Sequence, residues 1–285
     1  MQYTIKNERL QITVSDCGGE LVSVLHDGKE RLWQNETGVW SGRAPLLFPI
    51  AGHVGVKIDG ISYPMKAHGF CKRTLFTLKE SGEKFLSLSL VITDEMRKMY
   101  PYDFAFTITY RIDGATLTVE NTVENLGDTT LYFANGAHES YALESGDMGN
   151  YEVRFEKTEE PVHYVHDIEG YLTGETVRFP DCDRFVLPDE MLQNDDTIIF
   201  GNIRSRKVWL CEKDGKELAE ISFDQEYSNL LLWRAENSPR FICVEPWTIL
   251  PDVVGAPEVE FSQKAGVLSV DGKSKKTLTH TVEYK

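Results

Sequence analysis

Apolar and polar residues alternate along many short segments of this chain. The alternation is clearest in seven runs that are rich in Thr, Val, Phe and Tyr: 85–93, 104–112, 116–123, 151–157, 207–213, 217–223 and 277–284. A period of two places successive side chains on opposite faces of an extended chain, so each run is typical of a half-buried β-strand. Turn sequences such as IDGA, NLGD and KDGK lie between the runs. Together these patterns predict an antiparallel all-β protein.

Helical patterns are few and short. Residues 93–100 and 188–195 each begin with a capping residue or a proline and are long enough for about two helical turns. Neither segment has the character of a crossover helix, which disfavours a parallel α/β sheet. No linker-like tract, charge block or repeat divides the 285 residues, and all-β domains of this size occur undivided. We therefore predict one large antiparallel β-sandwich domain over residues 1–285.

Glycine and proline are concentrated in one segment, GRAPLLFPIAGHVGVKIDG (42–60). This composition contains too many strand-breaking residues for regular sheet. Long irregular segments on a rigid β-scaffold commonly carry binding sites, so the segment is a candidate part of a site.

The charge balance narrows the classes of partner. The chain has 45 acidic and 30 basic residues, and its formal net charge of −15 repels nucleic-acid phosphates and anionic membranes. The first residues lack the apolar core of a secretory signal, and no apolar stretch is long enough to span a bilayer. The five cysteines are scattered and odd in number, which argues against a disulfide framework. We expect a cytoplasmic protein without nucleic-acid or membrane partners.

Glu245 ends an apolar run in the segment RFICVEPWTILPD (240–252) and directly precedes Pro246. On a strand it shares a face with Phe241 and Cys243, so its carboxylate is expected beside apolar side chains. We expect Pro246 to end regular pairing and to leave Glu245 at the mouth of the sheet. Desolvation there raises a carboxyl pKa toward the range of a general base. The alternative is an ordinary edge carboxylate in a salt bridge.

His68 and His138 are candidate proton-transfer groups. Both adjoin small residues that leave space for a ligand, and imidazole titrates near neutral pH, although each can equally be a structural hydrogen-bonding residue.

His163 and His166 are three positions apart. Residues at this spacing lie on the same face only in a helix, and the surroundings of these two have strand and turn character. We therefore predict no metal site. The sequence also lacks the glycine-rich and GxSxG motifs, so dinucleotide binding, phosphoryl transfer by a P-loop and serine hydrolase chemistry lack their signatures.

Five segments occur in the order of a known family. In chain order, WSGRAPLLFPIAG, YPMKAHGFCK, NGAHESY, LQNDDTIIF and FICVEPWTILPD resemble the successive motifs of the aldose 1-epimerase (galactose mutarotase) family, and specifically of its LacX-like branch. The resemblance extends from about Trp33 to the C-terminal region. It implies the large antiparallel β-sandwich of that family, the galactose mutarotase-like supersandwich.

The resemblance also implies a reaction, the interconversion of the α and β anomers of a free aldose without a cofactor. Matched motif by motif, it implies that Glu245 is the base at the C1 hydroxyl and His138 the acid at the ring oxygen. It further implies that His68 is a second imidazole that orients the sugar, and that Arg43 binds sugar hydroxyls. A small-molecule sugar is thus the expected partner.

Three further residues are candidates for substrate binding: Lys72, Trp247 and Asp183. Trp247, like Trp40 and Trp233, offers a ring for the apolar face of a sugar, although tryptophan in a sandwich is more often core. Asp183 and Asp181 both lie near the position of an aspartate that some family members use, and the resemblance does not distinguish between them. Lys72 and its cationic neighbours are able to bind a phosphorylated sugar.

The chain departs from the family pattern at three places. Glu139 follows the candidate acid, where the family has proline; Cys71 follows HGF, where the branch has alanine; and Ile249 occupies the position of a glycine. A carboxylate at 139 has two interpretations: it raises the pKa of His138, which retains catalysis, or it marks a pocket that has diverged from that of the family. Three hypotheses remain open: a mutarotase acting on a hexose or on a modified or phosphorylated hexose, a non-catalytic carbohydrate-binding protein on the same scaffold, and an isomerase for another sugar-like ring.

Overall fold

Strands make up most of the regular structure of the chain. The computed structural model describes residues 1–192, 196–237 and 239–285. Within these residues the elements are β1 (Gln2–Lys6), β2 (Leu10–Ser15), β3 (Leu21–His26), β4 (Lys29–Glu30), β5 (Val56–Ile58), β6 (Ile61–Tyr63), β7 (Thr77–Ser81), β8 (Phe85–Val91), α1 (Asp94–Met99), β9 (Phe104–Asp113), β10 (Thr116–Asn125), β11 (Leu131–Phe133), β12 (Ser140–Ala142), β13 (Tyr151–Glu159), β14 (Val162–His166), β15 (Leu172–Arg178), β16 (Cys182–Val186), β17 (Thr197–Phe200), β18 (Lys207–Glu212), β19 (Glu217–Phe223), β20 (Asn229–Trp233), β21 (Phe241–Trp247), β22 (Leu268–Val270) and β23 (Lys275–Tyr284). Short 3-10 helices lie at Cys71–Arg73, Met148–Asn150 and Phe261–Gln263.

The predicted strands are confirmed. The seven alternating runs correspond to β8, β9, β10, β13, β18, β19 and β23. The predicted helix at 93–100 is confirmed as α1, and the Thr93 hydroxyl caps it by accepting a hydrogen bond from the Met96 N–H at 3.4 Å. No helix in the described part of the chain has the length and apolar composition needed to cross a membrane.

The predicted helix at 188–195 is wrong in its described part, where residues 189–192 form turns. The Leu192 carbonyl accepts a hydrogen bond from Arg234 Nε at 2.8 Å, so it is not available to a following helical turn. The Asp189 carboxylate also binds Arg234, at 3.0 Å. These tertiary contacts override the local helix propensity. Residues 193–195 lie outside the described residues.

Two large antiparallel sheets form the body of the molecule. The nine-stranded sheet has the order β16-β13-β18-β19-β23-β10-β9-β8-β7, and the six-stranded sheet has the order β12-β21-β20-β17-β14-β15. Inward-facing residues of both, such as Ile108 of β9 and Val244 of β21, belong to one buried hydrophobic cluster. This arrangement is the predicted β-sandwich, and that prediction is confirmed. A four-stranded sheet, β1-β2-β3-β4, adds to it.

The strands differ in how many of their faces are covered. In β10, buried and partly exposed residues alternate, because only one face meets the core. All seven residues of β21 are buried. Its Ile242 face belongs to the main core, and its Phe241 and Cys243 face packs with Trp33 in a second cluster. A carboxylate on β21, such as Glu245, is therefore removed from bulk water.

Candidate active site

A cavity of about 520 Å³ lies over the six-stranded sheet. Its lining combines side chains of β14, β17, β20 and β21 with residues of the irregular segments near positions 40–53, 67–73 and 168–170. The glycine- and proline-rich segment 42–60 thus contributes Gly42, Pro45, Gly52 and His53 to the wall.

Five of the seven predicted site residues line this cavity: His68, Lys72, His138, Glu245 and Trp247. They come from three separated parts of the sequence, which the fold brings together. The polar candidates among them therefore face a common space.

Arg43 and Asp183 are not brought to this cavity. The Arg43 guanidinium donates to the Ser41 carbonyl at 2.8 Å, and its backbone N–H donates to Glu20 Oε1 at 2.7 Å. Both partners line the cavity, but Arg43 itself does not. Asp183 is exposed on β16, the edge strand of the other large sheet. Their expected roles in substrate binding are not supported by these positions.

Glu245 carries its carboxylate on the cavity side of β21 and is 1% exposed. The Trp247 indole Nε1 donates a hydrogen bond to Glu245 Oε2 at 3.0 Å. Burial raises the pKa of Glu245 well above its usual range, and the hydrogen bond from Trp247 opposes this shift only in part. The carboxyl group therefore holds a proton far more readily than a carboxyl in water.

Pro246 does not end the strand as predicted, because β21 continues to Trp247 and Pro246 still pairs with Leu230 of β20. The Pro246 carbonyl accepts a hydrogen bond from Ala137 N–H at 3.0 Å. The nitrogen and carbonyl of one strand residue point to the same side, so the missing N–H faces the irregular segment 134–139 and not β20. The proline is thus tolerated within a central strand, and Glu245 lies inside the sheet.

His138 is held by the segment 134–139, which links β11 to β12. Asn135 anchors it, because its amide donates to the Leu47 carbonyl at 2.9 Å and its side-chain oxygen accepts from the Tyr227 hydroxyl at 2.6 Å. Gly136 packs against the Trp247 ring so closely that a Cβ there would lie 2.6 Å from the ring. Glycine is therefore required where this segment crosses β21.

The His138 ring packs against aromatic rings and faces Glu245. It is 8% exposed, stacks against Trp40 with ring centres 5.4 Å apart, and meets Trp233 edge-on at 5.6 Å. Its Nδ1 lies 3.5 Å from Glu245 Oε1 and has no hydrogen-bond partner among the described residues. Burial lowers the pKa of His138 to about 4, and the Lys72 charge acts in the same direction.

The charge of Glu139 acts to raise the pKa of His138, in the expected direction, but burial outweighs it and the pKa stays below its usual value. Adjacent residues on an extended chain point to opposite sides, and Glu139 points away from the cavity. Its Oε1 lies 2.7 Å from His280 Nε2 on β23, so its charge is compensated there.

Glu245 and His138 thus have pKa values shifted in opposite directions. Such a pair titrates as a unit, and in the sugar-free cavity a proton held by the pair resides preferentially on the carboxyl group. The arrangement supplies one proton that two neighbouring groups can exchange, as acid–base chemistry on a small molecule requires.

His68 is fixed by an unusual backbone. Both His68 and Gly69 have left-handed conformations, with φ of 66° and 72°, and a Cβ on Gly69 would lie 2.1 Å from the Phe48 carbonyl oxygen. His68 N–H donates to the Gly52 carbonyl at 3.1 Å, and Gly52 N–H donates to His68 Nδ1 at 3.1 Å. Burial lowers the pKa of His68 well below its usual value, so the neutral ring is assigned its proton at Nε2.

Lys72 and Arg73 place positive charge at one end of the cavity. Both lie on the 3-10 helix Cys71–Arg73, whose Cys71 is buried in the core while the two cations line the cavity. Burial lowers the pKa of Lys72, with a further contribution from Arg73. In the part of the chain that the structure describes, neither side chain has an ion-pair partner. This local field contrasts with the net charge of −15.

Some lining residues were not predicted as ligands of a sugar. Burial raises the pKa of Glu20, whose carboxylate accepts N–H groups of Arg43 and Ala44, and nothing around it in the sequence indicates this role. His166 lines the cavity, whereas His163, on the same strand, accepts from Ile199 N–H at 3.0 Å. The two histidines lie on β14, as their strand-like surroundings indicated.

A second cavity of about 780 Å³ lies beside the first, and the two share Glu169 and Pro251. It is lined mainly by residues 248–259, including Ile249. None of the seven predicted site residues is part of its described lining, so the smaller cavity is the candidate site.

Comparisons with known proteins agree with this architecture. The family model described as aldose 1-epimerase matches residues 1–264. The chain is 30% identical over 271 residues to the chromosomal LacX protein of Lactococcus lactis subsp. lactis, which covers 87% of this chain and 88% of that protein.

Solved structures show the same fold over the full length. A galactose mutarotase-like protein from Lactobacillus casei ATCC 334 superposes with a TM-score of 0.89 at 24% identity and covers 100% of both chains. A galactose mutarotase related enzyme from Lactobacillus acidophilus has a TM-score of 0.88 at 23% identity, over 100% of this chain and 97% of that chain. A galactose 1-epimerase from Lactobacillus acidophilus NCFM has a TM-score of 0.71 at 14% identity, over 99% and 93%.

Proposed function

Because the chain belongs to the aldose 1-epimerase family, in its LacX-like branch, we propose that it is a mutarotase that interconverts the α and β anomers of an aldose. The supporting observation is the approach of Glu245 Oε1 and His138 Nδ1 to 3.5 Å in a cavity of suitable size. The opposite shifts of their pKa values add to it, since they make the pair an acid and a base that share a proton.

The proposed reaction moves protons and breaks one carbon–oxygen bond. On opening, Glu245 takes the proton of the C1 hydroxyl, the bond between C1 and the ring oxygen breaks, and His138 protonates that oxygen. The aldehyde group rotates, and closure on its other face returns both protons. Each positioned acid or base typically contributes ~10² to 10⁴ in rate.

The number of protons in the site is consistent with these roles. Ionised Glu245 with protonated His138 contains as many protons as protonated Glu245 with neutral His138. The productive state therefore forms when one proton moves between two neighbouring groups, without exchange with solvent. Each group is an acid in one direction of the reaction and a base in the other.

Other lining residues support binding of a sugar. The assigned Nε2–H of His68 is a donor for the ring oxygen or an adjacent hydroxyl. Trp40 and Trp233 present ring surface to the apolar face of a pyranose. Lys72 and Arg73 favour a substrate with a negatively charged substituent, so we propose a hexose or a phosphorylated or otherwise modified hexose.

The decisive experiment follows the optical rotation of freshly dissolved α-D-glucose and α-D-galactose with wild-type protein and with Glu245→Gln. Acceleration by the wild type that the variant loses is expected. If sugars bind by calorimetry while the rotation of every sugar tested relaxes at its spontaneous rate, the protein is instead a non-catalytic carbohydrate-binding protein.

A second experiment addresses the charge of the substrate. We expect glucose 6-phosphate to bind more tightly than glucose by roughly tenfold or more, because a charged hydrogen bond contributes about 1.5–3 kcal/mol. Lys72→Met should remove most of this preference while glucose binding changes little. Equal affinity of the wild type for glucose and glucose 6-phosphate would contradict the proposal that the substrate is a phosphorylated hexose.

A further inference from the structure

Three chemically different ligand atoms meet beneath the cavity. A ring nitrogen of His138, Cys243 Sγ and a carboxylate oxygen of Glu245 all lie within 4.8 Å of one another, and all three residues are buried. Cys243 and Glu245 are two positions apart on β21 and share a face of the strand. His138 approaches them from the segment 134–139. The sequence spacing gives no sign of this cluster, because tertiary structure assembles it.

One of the three atoms lacks a partner. His138 Nδ1 is buried without a hydrogen bond among the described residues, and His138 as a whole is 8% exposed. Buried polar atoms are nearly always satisfied in folded proteins, so an unpaired nitrogen that faces a carboxylate, on a ring close to a thiol, is a position for a ligand. The nitrogen lies 3.5 Å from Glu245 Oε1. Donors around a tetrahedral zinc ion are separated by roughly 3.3–3.6 Å, given zinc–ligand bonds of about 2.0–2.3 Å.

We propose that His138, Cys243 and Glu245 bind one thiophilic divalent cation of the Zn²⁺ class, with the fourth position directed to the cavity. A donor set of one sulfur, one nitrogen and one oxygen suits Zn²⁺ and Co²⁺, whereas Mg²⁺ and Ca²⁺ require oxygen donors. Binding converts the Cys243 thiol to a thiolate, and the released proton passes to solvent.

Metal binding and sugar chemistry exclude each other at this site. His138 and Glu245 line the cavity, so an ion reaches them by the same route as a sugar. Coordination occupies the lone pairs with which these two groups exchange protons. The cation is therefore an inhibitor, and this consequence rests on the proposed function, whereas the binding itself does not.

The test of binding uses Co²⁺ as a spectroscopic probe. Cys17 is exposed and Cys182 is partly exposed, so the titration uses a Cys17→Ser, Cys182→Ser background to remove competing thiols. We expect one Co²⁺ per chain, with a sulfur-to-cobalt charge-transfer band, tetrahedral d–d bands and displacement by Zn²⁺ but not by Mg²⁺. Absence of the charge-transfer band would overturn the proposal.

Variants of the ligands locate the site. In that background, Cys243→Ser should abolish the charge-transfer band and weaken Co²⁺ binding by more than the roughly 10–100-fold that loss of an outer-shell partner costs. Glu245→Gln, which preserves side-chain size, should weaken binding but keep the band. Circular dichroism verifies that each variant is folded. A band that persists in Cys243→Ser places the metal elsewhere and overturns the assignment.

The inhibitory consequence has a separate readout. With each rate normalised to that of the same protein in EDTA, Zn²⁺ should abolish mutarotation by the wild type, and Cys243→Ser should require a higher Zn²⁺ concentration for half inhibition. An unchanged rate with metal bound would overturn the exclusion. If metal-free wild type shows no mutarotation, the proposed function fails, and the cobalt spectra alone still decide the metal site.

Discussion

Glu139 and Glu245 are two buried carboxylates near His138, and they differ in their imidazole partner and in the direction in which their pKa is shifted. Glu139 is 4% exposed and Glu245 is 1% exposed. Glu139 Oε1 lies 2.7 Å from His280 Nε2, whereas the imidazole that faces Glu245 is His138, whose pKa is only about 4. Burial acts to raise the pKa of both carboxyl groups, but the His280 charge and hydrogen bond outweigh it for Glu139, whose pKa is lowered. The pKa of Glu245 stays raised.

The difference shows that burial alone does not make a carboxyl group an acid–base catalyst. A buried carboxylate beside a group that accepts positive charge becomes a structural ion pair. Tyr110, Tyr141 and Tyr284 surround Glu139, and burial together with that negative charge raises the pKa of each tyrosine. A buried carboxyl group whose neighbouring imidazole is held neutral keeps its proton within reach of a ligand. Four experiments test this contrast between Glu139 and Glu245.

The first compares catalytic rates. Glu245→Gln is expected to lower kcat/KM for mutarotation by ~10² to 10⁴, because it removes a positioned base. Glu139→Gln should lower it far less in the folded fraction. Polarimetry on both variants checks this, and an equal loss in the two would break the contrast.

The second compares stabilities in urea. Glu139→Gln is expected to reduce the free energy of unfolding by about 3 kcal/mol, because it leaves His280 without its buried partner. Glu245→Gln should not reduce it, and at neutral pH should raise it, since the substitution removes a carboxyl group whose charged form the native state disfavours. The double variant Glu139→Gln, His280→Gln serves as the control and should recover part of the loss. A larger loss of unfolding free energy for Glu245→Gln than for Glu139→Gln would show that Glu245, and not Glu139, is the structural carboxylate.

The third examines stability against pH. Because the pKa of His138 falls from 6.5 in the unfolded chain to about 4 in the native state, the unfolded state binds this proton first as pH decreases. Stability is therefore lost between pH 6.5 and about 4, by up to about 3 kcal/mol, and is fully present above pH 6.5. Urea unfolding of wild type and His138→Gln at several pH values in this window measures the difference.

Glu245 changes the dependence of stability on pH in the opposite direction to His138. Its raised pKa means that the native state binds more protons than the unfolded state above pH 4.5, so its contribution to stability falls as pH rises. Glu245→Gln should remove that fall. Parallel slopes for wild type and both variants would contradict the opposite shifts.

The fourth tests the hydrogen bond from Trp247 to Glu245. Trp247→Phe removes the indole N–H, so the pKa of Glu245 should rise further and the acid limb of the profile of kcat/KM should move to higher pH. The rate near neutral pH should fall by about tenfold, the effect of one hydrogen bond. Trp209→Phe is the matched control, because its N–H donates to Glu220 at 3.0 Å and it does not line the cavity. An unmoved acid limb would show that the bond does not tune Glu245.

The amino-acid sequence was sufficient to predict seven of the strands, the all-β class and the family. Alternation is a local property with a period of two residues, and the family motifs are contiguous, so both are visible before folding. The motifs also identified Glu245, His138 and His68, which line one cavity. The prediction of one domain over residues 1–285 and the assigned roles of these side chains stay predictions.

Tertiary structure alone decided the rest. It kept Pro246 inside a central strand, turned Glu139 toward His280, left Arg43 and Asp183 outside the cavity, and brought Cys243 near His138. Each outcome depends on groups that are distant in the sequence, because burial, pairing and charge compensation act through space. The contiguous motifs therefore predicted five of the residues that line the cavity, whereas the packing around them decided which other groups reach it and where the proton resides.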